Sequence, residues 1–234
     1  MVCDQVRDYL QTQGLKVPTE EVQMAMLAVQ SVLELAQAEI DMSILWYEEN
    51  GFSLAQKFGL NSEALRQVHP TDLFTANNNS TYTLRQLYLA LDSIASRHHN
   101  DTFALYLYEA NDEAGQLYRL LARGSNLPVK LECEQQQVQQ YLFVRTASTG
   151  WLNQVNNVQQ WLADGSMIGE QVNASQLAVP VTNEQGQVLG VLYTAHQHNN
   201  AITEAELIDW TALAIVITPL LQNLQNASTA FIKG

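Results

Sequence analysis

Residues Leu177 to Ala195, Leu-Ala-Val-Pro-Val-Thr-Asn-Glu-Gln-Gly-Gln-Val-Leu-Gly-Val-Leu-Tyr-Thr-Ala, constrain the fold more than any other stretch of the chain. Two runs rich in Val, Leu and Tyr flank Thr182 to Gln187, where Asn183 and Gly186 supply turn chemistry. The pattern predicts a β-hairpin with a loop of roughly 4–6 residues around the glycine. Pro180 removes a ladder donor from the first run, so it belongs at an edge, at a bulge or beside a side-chain acceptor. Gly190 in the second run marks a bulge, or a place where another backbone or a ligand comes close.

Composition decides what such a hairpin sits in. The chain has 234 residues, of which 47% are hydrophobic and 15% charged, enough for one large domain or two small ones. The net charge of −13 argues against general affinity for nucleic acid or anionic membranes. The first ten residues carry Asp4, Arg7 and Asp8 and do not form a basic-then-apolar leader. No uninterrupted apolar run reaches the roughly 18–20 residues that a bilayer span needs. Cys3 and Cys133 lack CxxC spacing and are expected as free thiols, with no structural metal. A cytoplasmic location is the expectation.

Helices are expected over 2–13 and from Thr19, an N-cap followed by Glu20 and Glu21, through Trp46. From Val22 to Trp46 apolar residues fall on nearly every face, which predicts burial in protein or in an oligomer. The Met cluster there is expected as core packing. Residues 53–68 look like a DNA-binding helix-turn-helix, with Gly59 at the turn. The charges oppose that: residues 1–80 hold four Lys and Arg against eleven Asp and Glu, and the recognition helix would offer only Arg66. A transcription regulator acting through 53–68 is therefore the alternative function, and nucleic acid is not the expected partner.

Thr71–Ser80 is expected as a polar linker, which divides the chain into a helical region 1–75 and a domain 80–226. In the second part the patterns predict helix 81–98, strands 102–110 and 117–123, a short helix at 135–140 and a strand at 141–145. Residues 146–176 are irregular and hold Trp151 and Trp161. The Thr203-Glu-Ala-Glu206 capping box then launches a final helix to about residue 225, broken near Pro219.

This element order, with the 177–194 motif ahead of an acidic helix cap, resembles a GAF domain over about residues 80–226. The resemblance implies an α+β fold: an antiparallel sheet with flanking helices, here preceded by an all-helical N-terminal region. It implies a sensory or regulatory module in signal transduction that binds a small molecule or a partner protein, and a homodimer through the terminal helices. Bilin-binding members use a pocket cysteine usually followed by His, whereas Cys133 is followed by Glu134. The Asn-Lys-Phe-Asp-Glu pattern of cyclic-nucleotide-binding members is not in the sequence. Free-methionine-sulfoxide reductases of the family need several domain cysteines, and Cys133 stands alone there. Haem has only His196 and His198 as nominal ligands, and a His-x-His in a polar loop is expected to be solvated.

Gly-rich phosphate loops, Gly-x-Ser-x-Gly and His-Glu-x-x-His are not found, so the expectation is a non-enzymatic module with no catalytic residue and no cofactor. The acidic residues are expected in solvated turns and helix caps. A ligand pocket would be lined by Tyr106 and Tyr108, by Trp151 and Trp161 of the irregular segment, and by Arg123 or Arg145 as an anion clamp.

Overall fold

The structure is a computed structural model that describes residues 2–35, 48–49, 52–53, 76–110, 114–124 and 127–232. Residues 53–68, the helix-turn-helix candidate, lie outside the described residues except for Ser53, as does the 36–46 portion of the long helix.

The N-terminal helices are α1 (Val2–Thr12) and α2 (Thr19–Leu35), and a two-residue ladder joins β1 (Glu48–Glu49) to β2 (Phe52–Ser53). Helix α3 (Ala76–Arg97) follows, then β3 (Thr102–Glu109), β4 (Gln116–Arg123) and β5 (Lys130–Glu132). Two short helices, α4 (Gln135–Gln140) and α5 (Leu142–Thr149), lead to β6 (Asn153–Val155) and α6 (Val158–Ala163). The hairpin β7 (Ser175–Thr182) and β8 (Val188–His196) and the helices α7 (Glu204–Val216) and α8 (Thr218–Ile232) complete the chain. The larger sheet is antiparallel with order β5-β4-β3-β8-β7-β6. An α+β sheet with flanking helices is thus the observed architecture.

Strand alternation separates two cores. On one face Phe103, Leu105, Leu107, Leu177, Val179 and Leu192 pack against α1, α2, α3, α7 and α8. On the other, Ala104, Tyr106, Ala178, Val191, Tyr193 and Ala195 pack beneath the segment containing α4, α5, β6 and α6. That segment is the roof.

The hairpin behaves as its composition requires. A side chain on Gly190 would collide with the main-chain oxygen of Tyr106 on β3, so only glycine lets the two strands pair there. Strand β6 pairs β7 only at Gln176, Leu177 and Ala178, so Pro180 lies beyond its reach. The Tyr9 hydroxyl of α1 donates to the Pro180 carbonyl at 2.6 Å. Gln13, in the turn after this helix, donates from Nε2 to Gly150 O and accepts from Leu152 N–H through Oε1. The N-terminal helices are thereby seated on the sheet.

Helix α7 is apolar on more than one side, and every residue from Ile208 to Ile215 is buried. It lies between the sheet and α2, whose Val22, Met26 and Val29 face inward. Part of the surplus apolar surface expected of both helices is hidden within one chain. No single described helix is long and apolar enough to cross a membrane; α7 with α8 to Asn226 passes by length and composition, but the pair is bent by 42° and α7 is interior.

Several boundaries differ from the sequence patterns. Of residues 141–145, expected as a strand, 142–145 enter α5 and Tyr141 precedes it in an extended conformation, because a helical turn there buries Leu142, Phe143, Val144, Thr146 and Ala147 together. Tertiary burial overrides β propensity in that stretch. Helix α3 starts at Ala76, five residues inside the expected polar linker, despite the poor helix propensity of its asparagines. Strands β5 and β6, three residues each, are too short to leave a periodic signal.

Candidate functional site

The roof face is built from small residues that make room for rings. Ala104, Ala178 and Ala195 alternate on the sheet with Tyr106 and Tyr193. Phe143, carried down by α5, lies flat on Tyr106 with ring centroids 4.4 Å apart and an 8° interplanar angle. It meets Tyr193 edge-on at 5.2 Å, and Tyr141 approaches it at 5.3 Å. Such offset and edge contacts add to burial about 0.5–1.5 kcal/mol per pair. The Tyr106 hydroxyl donates to Pro128 O at 3.0 Å, and burial pushes the Tyr193 hydroxyl above its ordinary pKa.

Cys133 sits at the margin of this layer, ahead of α4. Burial raises its thiol to about 11, against the opposing pull of a hydrogen bond with Ser148, so it is protonated at neutral pH. Gln137 on α4 has a buried Oε1 with no hydrogen-bond partner in the structure. Arg145 extends along the outer roof: Nε donates to Val138 O at 3.3 Å, Nη2 donates to Ser166 O, and its guanidinium lies 5.2 Å from the Trp161 ring centroid. Burial lowers its pKa.

The structure thus places the expected pocket residues in three locations. Tyr106 belongs to the roof core, and Tyr108 and Trp161 pack at its edge. Arg145 and Trp161 pair with each other on the roof. Arg123 faces the helical side, donating to Asp92 Oδ1 and to Asn100 O, both at 2.6 Å, and lying over Phe103. Trp151 is exposed in the loop between α5 and β6. Tyr106, Tyr108, Trp161 and Arg145 lie on the roof side of the sheet, Arg123 lies on the helical side, and Trp151 is exposed.

A polar cluster that sequence reasoning missed closes the helical side. Thr203 caps α7 as expected, its hydroxyl accepting from Glu206 N–H at 3.1 Å. The Glu206 side chain, however, turns inward. Asn100 Nδ2 donates to Glu206 Oε1 at 2.7 Å, and His196 Nε2 lies 2.9 Å from Oε2. Three residues on, Asp209 Oδ2 holds both Arg97 Nη1 and His98 Nε2 at 2.7 Å. His196 is therefore a half-buried structural partner, not a solvated loop histidine, and Glu206 and Asp209 are not solvated carboxylates. Their spacing of i, i+3 on α7 was the available signal, since it puts both on one face. Among the described residues no group of three His, Cys, Asp or Glu could hold a metal ion.

Two surface cavities flank the helices. One of about 400 Å³ lies at the α7–α8 break, between Gln5, Gln30, Gln185 and Gln222. The other, about 500 Å³ and open, runs between the first turns of α2 and α7.

Comparison with known proteins agrees with this architecture. No family model matches the chain, and no curated protein matches it. Among solved structures, the GAF domain of an Acinetobacter phosphoenolpyruvate-protein phosphotransferase aligns with TM-score 0.54 and 12% identity, over 87% of this chain and 95% of that one. The type II free methionine-R-sulfoxide reductase of Thermoplasma acidophilum aligns with TM-score 0.51 and 15% identity, over 62% of this chain and 95% of that one. The fold is GAF-like. The second likeness corrects the expectation of a non-enzymatic module: the same fold is used by enzymes, so a GAF-like architecture does not separate a sensor from a catalyst.

Proposed function

We propose that this is a sensory or regulatory domain that takes a small planar molecule between the sheet and the roof and transmits its presence through the roof and the terminal helices. The single observation behind this is Gln137 Oε1, a buried acceptor without a partner on a roof helix. Buried polar atoms are nearly always satisfied, and leaving one unpaired costs about 1–3 kcal/mol. A ligand that donates a hydrogen bond there would remove that penalty. The roof suits entry, being made of helices of only six to eight residues and a three-residue edge strand, whereas the opposite face carries helices of 11 to 22 residues. Binding elements are drawn from the less stable parts of a domain. The sensory role itself rests on the GAF-like fold.

A thermal-shift screen of planar heterocycles with hydrogen-bond donors tests this. Stabilisation that is lost in Gln137→Leu and kept in Arg123→Ala supports the site. Stabilisation that depends on Arg123 and ignores Gln137 would move the ligand to the helical face and overturn it. Free methionine sulfoxide with a thiol reductant belongs in the same screen, given the Thermoplasma reductase. Turnover lost in Cys133→Ser would assign catalytic chemistry to the roof.

A further inference from the structure

We propose that the outward face of α2 is a docking surface for a basic amphipathic helix of a partner protein. Helix α2 buries Val22, Met26 and Val29 against the core, and on a 100° helical period Met24, Leu27 and Ser31 fall on the opposite side. Met24 is 68% exposed and Leu27 59%, two of the four large hydrophobics that stand out among the described residues. They do not stand alone. The open groove beside them has an apolar floor of Ala25, Ala28, Ala205 and Ile208, so the exposed ridge and the trough form one continuous surface.

Charge selects the occupant. Glu20 and Glu21 close one end of the ridge and Glu34 the other, all exposed, and α2 carries no Lys or Arg. Glu204 is exposed at the start of α7, beside Ala205 of the groove floor. The cations at the groove's far wall, Arg97 and His98, are already turned to Asp209. Met24 and Leu27 lie between these exposed glutamates, and the acidic-ended face from Glu20 to Glu34 is about 21 Å long, four turns of a partner helix. Its complement is a helix with apolar residues at i, i+3, i+4 and i+7 and with Lys or Arg at both ends.

A second copy of this chain fits poorly. Pairing α2 with itself antiparallel sets Glu20 and Glu21 against Glu34, and pairing it parallel sets each glutamate against its own copy. Like charges meet in both cases, between molecules that each carry −13. Such juxtaposition opposes pairing, while opposite charge speeds association and fixes register.

The experiment uses the full chain and a fluorescent synthetic peptide of about 18 residues, long enough to form a helix on binding, with Leu at the apolar positions and Lys pairs at both ends. Anisotropy should show binding of this peptide and at least about tenfold weaker binding of a version with Glu in place of Lys. Met24→Glu and Leu27→Glu, exposed substitutions that leave the core intact, should each weaken binding by about tenfold. Glu20→Lys with Glu34→Lys should do the same, while Glu184→Lys on the β7–β8 turn should not. The proposal is overturned if the two peptides bind alike, if neither binds, or if Glu184→Lys weakens binding as much as the α2 changes. It is also overturned if light scattering shows a dimer that Met24→Glu converts to monomer, since a second copy then covers the face.

Discussion

His196 Nε2 lies 2.9 Å from Glu206 Oε2, joining the last residue of β8 to the first turn of α7. Both side chains are nearly excluded from solvent, and Asn100, which follows α3, donates to the same carboxylate at 2.7 Å. Three elements distant in sequence are therefore fixed to one another by a single carboxylate. That carboxylate ties the start of the terminal helix pair, through which we propose the domain reports, to the end of β8.

Replacing Glu206 by Leu strands the Asn100 amide and the His196 ring without their shared acceptor. Urea denaturation should show a loss of about 2–4 kcal/mol, the range for breaking a buried hydrogen-bonded carboxylate. Glu204→Gln, at an exposed position in the same helical turn, should stay within about 0.5 kcal/mol of wild type. Equal effects at the two positions would remove the network from the account.

Gly190 tests the hairpin. In Gly190→Ala the new Cβ meets the Tyr106 main-chain oxygen and comes within 3.0 Å of Leu221 Cδ1. A backbone atom in a central strand cannot swing aside, so a loss of about 2–4 kcal/mol is expected, at the upper end for overpacking. A variant as stable as wild type would mean that β3 and β8 do not pair in this register.

Cys133 gives a pH-dependent signature. Its thiol is held protonated by burial, with a folded pKa of about 11 against an ordinary 9.0. A folded pKa raised in this way favours the protonated, folded form. The stabilisation is complete below pH 9 and is lost as the pH rises through 11. In a Cys3→Ser background, the iodoacetamide reaction should accelerate with pH through about 11 while the protein stays folded. Rapid alkylation levelling off near pH 8 would show a thiolate exposed in the roof instead.

The roof aromatics and Trp151 should part company. Phe143→Ala opens a cavity against Tyr106 and Tyr193 and should cost about 3–5 kcal/mol, whereas exposed Trp151→Ala should change stability by less than about 0.5 kcal/mol. Chemical denaturation of the two variants decides it.

What was legible in the chain was local. Asn183 and Gly186 announced the hairpin turn, Gly190 the close backbone approach, and Thr203 the helix cap, because each needs only its neighbours to act. The two faces of β3 were also legible, since alternation sends Phe103 and Tyr106 opposite ways. The strand expected at 141–145 failed because Tyr-Leu-Phe-Val suits a strand as well as a buried helical turn, and only the sheet beneath Phe143 decides between them. The two sides of the sheet on which the expected pocket residues fall were hidden for a related reason. Arg123 and Arg145 read alike in sequence, but the parity of β4 sends Arg123 to Asp92 on the helical side. The Asn100–His196–Glu206 cluster draws on residues about a hundred positions apart, and a capping box explained Glu206 without it.

The most direct test of the responsive roof is hydrogen exchange followed residue by residue at neutral pH. The account predicts that amides of α4, α5 and α6 exchange through a partial opening of lower free energy than that of β3 and β8, and that a ligand found in the screen slows the roof selectively. If roof and central strands exchange together, through global unfolding alone and with ligand protection spread evenly, the roof is a fixed part of the core and the central claim is contradicted.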